Sequence, residues 1–172
     1  MLVMSMAALC LLITVVIWVK KGNDIMSLLL GTKNFASQNV QSNGLIQLGN
    51  VYRRYCRRIN GTRTFEFDNS DVILQQSGIY HITVTAVGSG VDAGTLAIQL
   101  YENGVPVSGA FSNETITTPD TELRTLVIDY YALVDSTCVL GCNSTVAKAI
   151  SLVNTGVEAT FTSVVMNVEK VL

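Results

Sequence analysis

The sequence predicts an all-β fold, a two-sheet sandwich, and three observations point there. From Lys33 onward, short runs of alternating apolar and polar residues are separated by turn signals. Asn-Gly pairs, which accept the positive φ angles of tight hairpins, punctuate those runs at Asn43-Gly44 and Asn103-Gly104. No ten-residue stretch beyond Lys33 carries a convincing helical period.

The elements follow in order. Asn34 to Gln41 and Leu45 to Val51 read as opening strands joined as a hairpin through Asn43-Gly44. Thr64 to Phe67 and Val72 to Leu74 are short strands around Asp68-Asn-Ser-Asp71. After Ser77-Gly78 comes the clearest alternation: Tyr80, Ile82, Val84 and Ala86 share one face, and His81, Thr83 and Thr85 share the other. Gly88 to Gly94 reads as a loop. Leu96, Ile98 and Leu100 alternate with Ala97, Gln99 and Tyr101, and Pro119-Asp120 marks a turn after Thr115 to Thr118. Leu123 to Val134 is apolar and aromatic on both faces, the pattern of a strand covered on both sides. Ala149 to Val153, the turn Asn154-Thr-Gly156, and the alternating run Ala159 to Val171 complete the chain.

Composition narrows the function classes. The 172 residues suffice for one domain, with 49 % hydrophobic and 14 % charged residues, which excludes a disordered tail. A formal net charge of −2 argues against a chain built to hold nucleic acid. With 13 Gly and 2 Pro there is no collagen-like stalk. One His, His81, leaves acid–base or nucleophilic catalysis with a single imidazole on an alternating strand, so no enzyme and no cofactor are expected.

Leu2 to Val19 is an unbroken uncharged run closed by Lys20-Lys21. As a helix it would measure about 27 Å, enough to cross a bilayer core. Three readings stay open: a membrane anchor, a signal peptide, and a leader translated upstream of a true start at Met26. Lys20-Lys21-Gly22 requires a purine-rich coding stretch of ribosome-binding-site form, which favours the leader. A signal peptide fits least, because no basic residue precedes the run.

Three phrases carry a resemblance. Ser77-Gly-Ile-Tyr80-His-Ile-Thr83, then Leu96-Ala-Ile-Gln-Leu100-Tyr-Glu-Asn-Gly104-Val-Pro106, then Ile150-Ser-Leu-Val-Asn154-Thr-Gly156 with Thr160 to Val171, resemble strands of tumour-necrosis-factor-like and complement-globular-head jelly rolls. Similar Thr- and Val-rich domains occur in bacteriophage fibre and head-decoration proteins and in bacterial spore-surface proteins. The resemblance implies a two-sheet jelly-roll sandwich over 44–172 that assembles as a homotrimer. It further implies an N-terminal docking arm over 26–43, behind the apolar segment 1–25. The segment Asn50 to Ile59 has no counterpart in it.

Candidate site residues follow from residue type and spacing. Tyr101, Tyr130, Tyr131 and Phe161 are candidates for the trimer interface, since aromatic side chains dominate interface cores; filling the monomer core is the competing reading. Arg53, Arg54, Arg57 and Arg58 are candidates for contact with an acidic partner, against the alternative of a solvated loop paired with Glu66, Asp68 and Asp71. Cys56, Cys138 and Cys142 are weak metal candidates: Cys138 and Cys142 have a loose zinc-pair spacing, but a tetrahedral site needs a fourth ligand. Free thiols are the leading expectation. The sequons at Asn60, Asn113 and Asn143 are no more than an Asn- and Thr-rich chain yields by chance.

The expectation is a non-enzymatic, trimeric head fibre, capsid decoration or host-attachment protein at a virion surface. Its partners would be sister copies, other virion proteins and a host surface glycan, with no nucleic acid and a membrane only if residues 1–25 are retained. Gly88 to Gly94 and Phe111 to Asp120 are the loops expected to meet the environment. One alternative is a ligand of the tumour-necrosis-factor or complement-head type at a cell or spore surface; another is a glycan-binding or glycan-hydrolysing domain of a phage tail tip.

Overall fold

The computed structural model describes residues 28–171 apart from 57, 60, 138–143 and 146. The apolar segment 1–25, with Cys10, lies outside the described residues, as do Arg57, Cys138 and Cys142.

Among the described residues every regular element is a strand. In chain order these are β1 (Leu28–Asn34), β2 (Gln38–Val40), β3 (Asn50–Tyr55), β4 (Arg58–Ile59), β5 (Thr62–Arg63), β6 (Phe65–Asp68), β7 (Asp71–Leu74) and β8 (Gly78–Gly90). There follow β9 (Gly94–Glu102), β10 (Val105–Ile116), β11 (Arg124–Val134), β12 (Ser136–Thr137), β13 (Ser144–Thr145), β14 (Lys148–Asn154) and β15 (Ala159–Lys170). They form two antiparallel sheets. The first has the order β11-β8-β15-β1-β3, with β2 paired to the far end of β15; the second has the order β10-β9-β14-β7-β6. Two short ladders, β4 with β5 and β12 with β13, stand apart. Apart from the hairpins β9–β10 and β6–β7, neighbours in each sheet are distant in sequence, which is the jelly-roll pattern.

Alternation explains the packing. Tyr80, Ile82, Val84 and Ala86 of β8 all point inward at 0 % exposure, against Leu96, Ile98 and Leu100 of the opposite sheet. Tyr80 is buried together with its hydroxyl, which donates to the Gln76 carbonyl at 2.6 Å while its ring meets Phe65 edge-on. Burial pushes the Tyr80 phenol up to about 12, against the smaller opposing effect of that hydrogen bond. Between β9 and β10 the Asn103-Gly104 turn forms as expected, with φ of 50° and 77°.

Four expectations are corrected. Asn43-Gly44 does not join a hairpin: Asn43 N–H donates to the Asn154 carbonyl and Ile46 N–H to the Leu152 carbonyl, so this stretch runs beside β14. Asn154 holds it there, being fully buried with its amide donating to the Val40, Gln41 and Val157 carbonyls. Gly88 to Gly90 is strand and not loop, because β15 pairs with all three residues and Arg124 of β11 with Gly88. Phe111 to Ile116 likewise belongs to β10, which leaves 117–123 as the connection. From Leu28 the expected arm is part of the sandwich, with β1 paired to both β15 and β3 and Leu30 in the core.

Candidate assembly interface

The first sheet has two faces of different character. Its inner face builds the core. Its outer face is laid out in rows by the ladder register. In one row Tyr131, His81, Glu169 and Leu29 stand on β11, β8, β15 and β1; in the next stand Asp129, Thr83, Asn167 and Gly31; in the third, Val127, Thr85, Val165 and Lys33.

β11 is where this face is most apolar. Leu126, Ile128, Ala132 and Val134 point inward and are buried, whereas Val127 is 56 % exposed, Tyr131 59 % and Leu133 56 %. The apolar residues on both faces of this strand are thus fully covered on one side only, at the edge of the sheet. Beside them, His81 Nε2–H donates to Asp129 Oδ1 at 2.7 Å, the carboxylate being able only to accept. The imidazole stacks on the Tyr131 ring, with centroids 4.6 Å apart and planes 15° from parallel.

At the opposite edge, Tyr52 of β3 lies across Gly31 and donates its hydroxyl to Asn167 Oδ1 at 2.7 Å. A Cβ on Gly31 would stand 2.8 Å from that ring, so only glycine lets the tyrosine lie flat. Lys33 Nζ sits over both the Phe35 and Tyr52 rings, at 5.5 and 5.6 Å.

The four aromatic candidates separate. Tyr131 is on the outer face. Tyr130, one residue before it, points inward to the end of the sandwich, where its hydroxyl donates to Glu102 Oε1 at 3.2 Å and Lys148 Nζ meets Glu102 Oε2 at 2.7 Å. Burial and the Glu102 carboxylate push the Tyr130 phenol up. Tyr101 is half-buried on β9 of the second sheet. Phe161 has 0 % exposure and is a core residue, closed to any partner. The reason is strand phase: a pairing irregularity between Phe161 and Ser163 turns this bulky ring inward. Sequence reasoning passed over Val127 and Leu133 as assembly candidates, although their odd-numbered alternation with Leu126 and Val134 was the signal.

Arg53 and Arg54 are exposed on β3, and neither has a carboxylate within ion-pair distance among the described residues. The alternative of pairing with Glu66, Asp68 and Asp71 therefore does not hold for these two. β4 includes Arg58, but the side chains of Arg57 and Arg58 lie outside the described residues. Cys56 is a free, half-buried thiol. Burial pushes it up, against the opposing effect of the Arg54 and Arg63 charges, so it is a poor nucleophile. Among the described residues no cluster of three or more His, Cys, Asp or Glu could hold a metal ion.

The connection before β11 is held by Glu122. Its Oε2 accepts from the Thr117 and Thr118 backbone N–H groups at 2.8 and 3.0 Å, and from the Thr117 hydroxyl at 3.0 Å; Oε1 pairs with Arg124. These hydrogen bonds, with the Arg124 charge adding a smaller part, hold its carboxyl down to about 2.

The fold defines a class: a jelly roll of the tumour-necrosis-factor-like and complement-head-like type. Solved structures similar to it include the globular domain of the zebrafish complement 1qA protein (TM-score 0.54, 9 % identity, covering 84 % of this chain and 98 % of that one). Murine APRIL at pH 5.0 is similar at TM-score 0.54 and 9 % identity, with 84 % and 99 % covered. The Eiger TNF from S. frugiperda is similar at TM-score 0.58 and 8 % identity, with 85 % and 93 % covered. At these identities the likeness establishes the fold alone. No family model matches the sequence, and no curated protein matches it.

Proposed function

We propose that this chain is a non-enzymatic structural and attachment subunit that works as a homotrimer, with the outer face of the first sheet turned to its sister copies. The observation that carries the reading is the apolar edge of that face. Val127, Tyr131 and Leu133 stand open on one face of one strand, with Asp129 between the first two, an arrangement that marks an association surface. Trimerisation would bury them and leave the turns at the ends of the sandwich free for an external partner.

The site of action we propose is a virion surface, as a head fibre, decoration or host-binding protein of a bacteriophage. Support for this comes from the Thr- and Val-rich phrases of β8, β9 and β15, which resemble domains of that kind. Capsid neighbours and a host surface glycan are the partners this reading expects. The exposed Arg53 and Arg54 offer an acidic neighbour two cations that no carboxylate takes up among the described residues.

A second reading, a ligand displayed on a cell or spore surface, is favoured by one feature: the uncharged run Leu2 to Val19 ahead of the sandwich. Light scattering of the purified full chain at micromolar concentration, in mild detergent, tests the shared core of both. The expected mass is three subunits, and a monomer overturns the assembly reading. Localisation on purified particles by antibody labelling then separates virion from cell surface.

A further inference from the structure

We infer that assembly through the outer face of the first sheet is coupled to proton uptake at His81, so that the trimer tightens as pH falls from about 8 to about 5.5. This rests on the trimer reading above and specifies how that interface is regulated.

The chain has one histidine, and it stands in the middle of the face proposed to close. Its surroundings are acidic on both sides. From β11, Asp129 accepts the Nε2 proton, and Tyr131 covers one side of the ring. From β15, Glu169 stands directly opposite in register and has no ion-pair partner among the described residues. Among the described residues no Lys or Arg lies within ion-pair distance of either carboxylate. Lys33 Nζ lies over the Phe35 and Tyr52 rings, and Lys170 Nζ over the Tyr80 ring at 6.0 Å. Arg53, at the far end of the Asp129 row, has no carboxylate within ion-pair distance among the described residues.

In the free subunit this arrangement costs little, because Asp129 is 64 % exposed and water solvates it. Closing the face removes that water. With a neutral imidazole, each subunit then carries two uncompensated carboxylates into the interface, a costly arrangement. Protonating His81 halves the uncompensated charge and places a cation between Asp129 and Glu169. Histidine is the side chain whose charge ordinarily changes between pH 5 and 8. Assembly binds protons, and by linkage acid favours assembly.

Sedimentation velocity of the full chain at about pH 5.5 and about pH 8, at fixed ionic strength, tests this. The concentration at which half the subunits are trimeric is expected to be at least tenfold lower at the acidic pH, roughly the effect of a one-unit rise in imidazole proton affinity on assembly. H81Q is expected to abolish the difference. E169Q, which removes one carboxylate without touching the imidazole, is expected to tighten the trimer at pH 8 and shrink the difference. A trimer equally tight at both pH values overturns the proton coupling and leaves the trimer standing, whereas a monomer at both overturns both readings. A pH difference that survives unchanged in H81Q or in E169Q also overturns it.

Discussion

At one edge of the first sheet, β3 turns Arg53 and Arg54 to solvent and pairs with β1 through a bulge between Gly31 and Thr32. At the other edge, β11 pairs with β8 in unbroken register and exposes Val127, Tyr131 and Leu133, with Asp129 among them. Both strands end the sheet, a position that invites another chain, although on β11 the Val127 N–H is met by the Ser112 hydroxyl of β10 at 3.2 Å. Charge and bulge are the devices that blunt such an edge. β3 has both. β11 has a regular ladder and a greasy outer side, so the sheet is protected where it ends in β3 and open for company where it ends in β11. The arginines thus have a sufficient role as edge protection even before a partner is invoked.

Breaking the open edge has the largest expected effect. Replacing Tyr131 by Lys, or Leu133 by Lys, puts a hydrated cation where an aromatic or aliphatic anchor stood, and is expected to cost assembly about 2 kcal/mol or more per interface. Because both side chains are more than half exposed, subunit stability should change by no more than about 0.5 kcal/mol. Light scattering and urea denaturation read the two quantities separately. Phe161→Ala is the internal control with the opposite signature: a fully buried ring lost from the core should cost about 3–5 kcal/mol of folding stability. If Tyr131→Lys unfolds the subunit to a similar extent, the outer face is not free and the contrast between the edges fails.

A middle-sized effect is expected at Gly31, where the protected edge is fastened. Gly31→Ala places a methyl group against the Tyr52 ring and pushes the ring off the sheet, breaking its hydrogen bond to Asn167. The expected cost is about 1 kcal/mol, the worth of one such bond, with faster amide exchange along β3. Tyr52→Phe removes the bond and keeps the ring, so it should reproduce most of that cost without the exchange. Removing charge at the same edge, by R53T together with R54T, should leave stability within about 0.5 kcal/mol and raise the tendency to form large aggregates, visible as turbidity on heating.

Much of this fold was legible in the sequence where a residue's role is local. The inward set of β8 and the Asn103-Gly104 turn need only side-chain alternation and φ preference, and both are present as read. What was not legible depends on distant partners. Asn43-Gly44 has hairpin chemistry, yet Asn154, more than a hundred residues away, takes the segment for the second sheet. Phe161 and Tyr131 are equally aromatic and equally placed in alternating runs; a pairing irregularity in β15 and the edge position of β11 send one ring to the core and the other to solvent. Alternation shows that two faces exist. Which face remains uncovered is decided by sheet order, and sheet order is a property of the whole chain.

The smallest effect expected concerns how β11 is delivered to its open edge. Glu122 draws the Thr117 and Thr118 N–H groups inward and pairs with Arg124, the first residue of β11. Its carboxyl is held at about 2 against an ordinary 4.5, so the folded state binds the proton less readily than the unfolded chain. The stabilisation is therefore complete above about pH 4.5 and is lost as pH falls through about 2. Glu122 lies in the 117–123 connection and is bound there to Thr117, Thr118 and Arg124, so the loss should appear as local loosening and not as global unfolding. Amide exchange at Thr117 and Thr118 should accelerate, beyond its intrinsic pH dependence, between pH 4.5 and 2 in the native chain. E122Q should show that faster exchange already at neutral pH. Among the described residues no such carboxylate clamp is seen at the entry to β3, so exchange along it should show no matching acid transition. Acid sensitivity confined to the β11 end would show that the open edge is positioned by a titratable clamp, in contrast to the closed edge with its Tyr52–Asn167 bond.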